Sequence, residues 1–159
     1  MIGLSFIAVL LFISLVAVVI GKHGVPDMVS TIYYLLGKRG WVFQLVMMLF
    51  GAMMMVCLLD SGLGVPCLAF LACAGMMFVG AAPRFLDENE RKVHKMGAII
   101  SAVASVGWCL TVNWRIVVAL LGWYVVYWAG RDRDSHPWFA AEVTAVWMVL
   151  LTYWRTYLF

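Results

Sequence analysis

Three histidines, His23, His94 and His136, each stand beside the end of a long apolar run, on three different runs. Neutral imidazoles supplied by separate segments suit zinc, whose catalytic sites commonly take three protein ligands and a water. Asp27, Asp132 and Asp134 occupy the same level of the chain pattern. They fit a fourth ligand, an orienting partner for a ligating histidine, or a base. Zinc (Zn2+) on His23, His94 and His136 would activate a water for hydrolysis, with Asp27 or Asp134 handling the proton. The bland alternative is that histidines simply tolerate a membrane interface. No HExxH or HxxxH spacing occurs, so the residue pattern leaves both readings open.

Glu142 is the other candidate. It lies six positions after His136, about 9 Å of helical rise and about 240° around the axis, so the two do not share a face. A carboxylate at that depth in an apolar run is costly unless paired or hydrated. It therefore belongs to a separate cavity, an interhelical hydrogen bond or a subunit contact. His94, Ala98, Ser101 and Ser105 recur at helical spacing with Gly97 beside them. Small residues mark the face where membrane helices approach, which turns His94 into the bundle.

The elements that must position these residues are apolar helices. Of 159 residues 65% are hydrophobic and 12% charged, with a mean hydropathy of +0.99. A soluble domain carries about 25% charged residues, so the composition is that of an integral membrane protein embedded in the lipid bilayer. A crossing needs roughly 20 apolar residues. Residues 2–20, 41–59, 63–82, 94–113, 114–129 and 137–158 qualify, with a tight hairpin at TVN between the fourth and fifth and a turn at DSGLG between the second and third. Pro26 and Asp27 suit a helix start and Gly37 a stop. Residues 26–36 then form a short amphipathic helix in, or dipping into, the interface. The expected fold is all-α: a single integral domain over 1–159, a six-helix transmembrane bundle with an interfacial helix after the first crossing.

Charge sets the orientation. Lys22, Lys38, Arg39, Arg84, Arg91, Lys92, Lys95, Arg131 and Arg133 fall on one side, and only Arg115 and Arg155 on the other. Basic residues stay cytoplasmic, which places both termini outside the cytoplasm of a cytoplasmic (inner) membrane. The +3 net charge is spread over these loops, a pattern of membrane topology rather than nucleic-acid binding. Residues 1–20 lack the basic start and small-residue cleavage site of a signal peptide and read as a retained first helix. Cys57, Cys67, Cys73 and Cys109 form no CxxC pair and read as small apolar residues. The segment DENERKVHK reads as a solvated helical extension with local ion pairs.

GVPDMVSTIYY, FLACAGMMFVGAAPRF and VHKMGAIIS resemble a group of small polytopic membrane proteins of Bacteroides-type gut bacteria and their phages, a resemblance over roughly residues 24 to 105 that implies no particular activity. VHKMGA also resembles, more remotely, the CREST superfamily of alkaline ceramidases and progestin-receptor-like membrane hydrolases. Those are seven-helix bundles with zinc on three histidines beside a serine and an aspartate. That likeness implies His94, His23 and His136 as ligands and Ser30 and Asp27 as the remaining pair. Two function classes follow. One is a zinc-dependent hydrolase of a lipid or amide at the cytoplasmic face. The other is a non-enzymatic homo-oligomeric assembly, such as a channel, holin-like or accessory protein, with Glu142 serving packing or permeation.

Overall fold

The computed structural model describes residues 1–132 and 135–158. Six α-helices and two 3-10 turns make up the described chain: α1 (Ile2–His23), α2 (Ile32–Leu35), α3 (Gly40–Asp60), α4 (Pro66–Ala81), α5 (Glu88–Ala129) and α6 (Pro137–Leu158). Among the described residues there is no strand. Helices over Ile2–His23, Gly37–Asp60 and Glu88–Ala129 are long and apolar enough to cross a membrane, as a membrane protein requires; α4, with 16 residues, is a shorter apolar helix.

Helix α5 is not one straight rod. Its 42 residues contain one non-helical position, Asn113, at φ −155° and ψ 86°. Cys109, in the first arm, lies beside Thr152 of α6. Tyr124, in the second arm, donates its hydroxyl to the Pro137 carbonyl at 3.2 Å. Pro137 stands at the end of α6 whose Phe139 and Glu142 bond Asp27 and Val29, the His94 end of the first arm. Trp108 at the other end bonds Leu63, so the second arm runs back alongside the first. The chain turns back at Asn113, where the sequence places a hairpin between residues 94–113 and 114–129.

The interfacial segment differs from expectation. Residues 26–28 are not helical, and Met28 is extended at φ −146° and ψ 155°. A 3-10 turn (Val29–Thr31), the single α-turn of α2 and a second 3-10 turn (Gly37–Arg39) follow. Val29, Thr31 and Ile32 are β-branched and favour helix weakly, and Gly37 adopts φ +52°, outside the helical region. The result is a hook that buries Pro26, Val29, Ser30 and Ile32 against the bundle instead of an amphipathic helix floating on the interface.

Small residues set the spacing of the walls. Gly75 of α4 meets α5 so closely that a Cβ there would stand 2.6 Å from the Gly97 carbonyl oxygen and 2.7 Å from the Ser101 nitrogen. Gly51 of α3 is similarly covered by α4, with a hypothetical Cβ 3.1 Å from the Cys73 oxygen. Ser101 reinforces the α4–α5 contact by donating to the Ala72 carbonyl at 2.8 Å. Between membrane helices such a bond contributes about 0.6 kcal/mol on average and about 1.7 at most. Ser101→Ala should lower stability by that modest amount, read as a small fall in the thermal midpoint of the purified protein.

The remaining walls close a ring. Phe12 of α1 packs on Phe50 of α3 with ring centroids 5.4 Å apart. Trp154 of α6 donates to Ser5 of α1 at 2.9 Å and stacks on Phe6 at 4.9 Å. In order around the ring stand α1, α3, α4, the first arm of α5, and α6. The second arm lies outside it, with Val118, Trp123, Val125, Val126 and Trp128 exposed as lipid-facing residues would be. At the start of α5, Asp87 caps the helix by accepting from the Asn89 N–H at 2.9 Å, while Arg84 pairs with Glu90. DENERKVHK is thus a helical extension as expected, but the ion pairs shown for it run to Arg84, before the segment.

Candidate functional site: a cavity inside the helix ring

Every member of the ring gives side chains to one partly open cavity of about 220 Å³. The hollow exists because facing positions are small. Ala72 of α4, Ala98 and Ala102 of α5, and Ala141 and Ala145 of α6 all line it, and none reaches the centre. Bulkier Phe12, Met47, Phe50 and Met54 form the opposite side. The lining is thus largely apolar, with a few polar groups, which is the composition of a ligand pocket.

His94, Ser101 and Ser105 line the cavity together with Ala98, as their helical spacing predicts. His94 is only 8% exposed. Its Nδ1 lies 2.9 Å from the Ala82 carbonyl oxygen. A carbonyl only accepts, so Nδ1 is the donor; in the neutral ring Nε2 then carries the lone pair. Phe85 packs on the imidazole at 5.3 Å, and Tyr34 of the hook packs edge-on against Phe85 at 5.1 Å. The Tyr34 hydroxyl accepts from the Leu86 N–H at 2.9 Å, which ties the hook to the α4–α5 connection.

Glu142 also lines the cavity, with Val29 and Ser30 of the hook. Its Oε2 accepts the Val29 N–H at 2.5 Å. A second clasp follows just outside: Phe139 donates its N–H to the Asp27 carbonyl at 2.9 Å, and His136 Nδ1 meets Asp27 Oδ1 at 3.2 Å. The hook is therefore fastened to α6 on one side and to the α4–α5 connection on the other. Glu142 thus lines a cavity of its own chain, one of the settings its depth in the apolar run suggests.

The residues proposed from sequence as a zinc centre do not assemble as one. His94 is buried at the cavity, His136 pairs with Asp27 at the rim, and His23 is exposed at the end of α1. Among the described residues no group of three or more His, Cys, Asp and Glu side chains is placed to hold a metal ion. The Nδ1–carbonyl bond of His94 is the orienting contact that metal-bound histidines use, yet among the described residues no second and third donor stands with it. Of the proposed acid–base groups, Asp27 holds His136, Ser30 lines the cavity, and Asp134 lies outside the described residues.

The His136–Asp27 pair is exposed, Asp27 by 83% of its side chain, and exposed ion pairs contribute about 0–1 kcal/mol. Asp27→Asn should leave the thermal midpoint nearly unchanged, because the Asp27 carbonyl still receives the Phe139 N–H. A large loss of stability would show that the carboxylate has a role beyond this contact.

Sequence reasoning missed the Glu142–Val29 bond, which joins residues 113 positions apart. It also missed the cavity. The signal was present in Ala98 and Ala102, and in Ala141 and Ala145, two pairs at i,i+4 spacing that place small residues on one face. The chain matches no family model, no curated protein and no solved structure. The likenesses to gut-bacterial and phage membrane proteins and to the CREST superfamily stand on their quoted residues alone.

Proposed function

We propose that this chain is a polytopic protein of the inner membrane that binds a lipid-derived ligand in the cavity at the centre of its helix ring. In this reading α1, α3, α4, the two arms of α5, and α6 make six crossings, and the hook rests at the cytoplasmic interface. The exposed basic residues Lys22, Lys38, Arg39, Arg91, Lys92 and Lys95 gather at the hook end, which favours that end as cytoplasmic and both termini as external.

The cavity is the observation that carries the reading. An apolar cavity of roughly 150 Å³ suffices to hold benzene, and this one measures about 220 Å³. A small apolar molecule or a segment of an alkyl chain fits, with the Glu142, His94 and Ser30 end receiving a polar group. Hydrolysis by zinc on the three histidines lacks a converging ligand set among the described residues and is not the reading adopted.

The test uses fluorinated octanol as an alkyl probe on the protein in phosphatidylcholine nanodiscs, followed by fluorine NMR. A distinct bound resonance is expected in the wild type and absent in Ala145→Trp, whose indole would occupy the hollow. If no resonance separates the two proteins, the cavity is not a binding site.

A further inference from the structure

We infer that the ligand of this cavity carries a protonated amine, held by the carboxylate of Glu142; this deepens the ligand-binding reading above and rests on it. The argument starts from charge. A carboxylate placed inside a helix ring needs a compensating partner, because an unpaired charge out of water costs far more than a paired one. Within the described protein Glu142 has a single bond, the backbone N–H of Val29 to Oε2, and no ion pair. Every described lysine and arginine is exposed, so none reaches in to neutralise it. The half-buried carboxylate lines the cavity with no described cation beside it.

The neighbouring polar groups favour the same answer. His94 gives its Nδ1–H to the Ala82 carbonyl, and in the neutral ring Nε2 is then an acceptor. Ser101 spends its hydroxyl proton on the Ala72 carbonyl and likewise keeps only lone pairs. A ligand entering this cavity therefore meets a carboxylate oxygen, an imidazole nitrogen and the Ser101 oxygen as acceptors, beside the hydroxyls of Ser30 and Ser105, which can donate or accept. A carboxylate or phosphate head would face repulsion from Glu142 and find few donors. A hydroxyl would satisfy one acceptor. A primary ammonium brings three donors and the opposite charge, while the alanine-lined wall takes its alkyl chain.

The experiment displaces bound fluorinated octanol from the wild type in phosphatidylcholine nanodiscs by octylamine, octanol and octanoate. Octylamine should compete at a concentration about tenfold below that of octanol, the scale of a charge-assisted bond replacing a neutral one, and octanoate should compete worst. In Glu142→Gln, whose amide oxygen can still accept the Val29 N–H, the ratio between the octanol and octylamine concentrations that displace the probe should fall to about one. Nanodiscs containing phosphatidylethanolamine give a further arm. Displacement of the probe by that lipid places the amine on a phospholipid headgroup, whereas displacement by octylamine alone places it on a free single-chain amine; both support the ammonium.

Equal competition by amine and alcohol in the wild type, or an amine preference that survives in Glu142→Gln, overturns the inference while leaving the cavity as a binding site. Should Glu142→Gln fail to fold, the ranking of the three competitors on the wild type decides the matter. Absence of any bound probe resonance that Ala145→Trp removes would overturn the ligand-binding reading itself.

Discussion

Gly75→Val should unfold the bundle or cost it at least about 3 kcal/mol, the upper part of the usual range for overpacking. The reason lies in what the new side chain would strike. A Cβ at Gly75 would stand 2.6 Å from a backbone oxygen of α5 and 2.7 Å from a backbone nitrogen. Backbone cannot rotate away as the tip of a methionine can, so α4 and α5 must separate. Separation breaks the Ser101–Ala72 bond and opens one wall of the cavity. Gly122, in the second arm of α5, has nothing within 4 Å of its Cβ position, and Gly122→Ala should be neutral or slightly stabilising. The paired measurement is thermal unfolding of both variants in one detergent, beside their elution as monodisperse species. Equal stability of Gly75→Val and wild type would mean that the α4–α5 contact is looser than described.

Trp108→Ala should be the next most damaging change, at about 3–5 kcal/mol for loss of a buried tryptophan. Trp108 has no exposed surface. Its indole N–H donates to the Leu63 carbonyl at 3.0 Å, and so pins the α3–α4 turn to the first arm of α5. The turn is shaped to receive it: Gly64 adopts φ +60° and a Cβ there would stand 3.0 Å from the indole nitrogen. Trp108 thus fastens the end of the ring opposite the hook. Trp108→Phe separates the two contributions, since it keeps an aromatic ring but leaves the Leu63 carbonyl without its donor. It should lose about 1–3 kcal/mol, the cost of an unmade buried hydrogen bond. A near-neutral Trp108→Ala would show that the turn is held by its own backbone.

The hook and the histidines mark where local pattern stops being informative. Apolar run lengths placed the helices within a few residues: 2–20 against Ile2–His23, 41–59 against Gly40–Asp60, and 137–158 against Pro137–Leu158. The fourth and fifth runs, joined at Asn113, also matched the reversal in α5. Residues 26–36 did not behave as the helix their apolar spacing suggests. Their conformation is decided by bonds to distant partners, Val29 to Glu142 and Leu86 to Tyr34, which no local propensity reports.

The three histidines make the same point about the site. Each was correctly placed near an end of an apolar run, and the stripe of His94, Ala98, Ser101 and Ser105 did turn inward. Depth along a run is nevertheless one coordinate of three. Whether two side chains at the same depth meet depends on which faces the helices present and how closely their axes approach. The backbone contact of Gly75 with Gly97 and Ser101 sets one such approach, and His136 was drawn to Asp27 rather than to His94.

By itself, then, the sequence determined an all-helical chain with helices of membrane-crossing length, the breaks between them, and the inward face of the first arm of α5. Hydropathy and helical period are properties of neighbouring residues and can be read from one strand of text. Only the tertiary structure decided that Glu142 shares a cavity with His94, that the histidines do not gather with other ligands into one metal-holding group among the described residues, and that alanines on three helices line one side of a hollow. Those facts depend on the rotation and spacing of separate helices, which are fixed by packing between residues far apart in the chain.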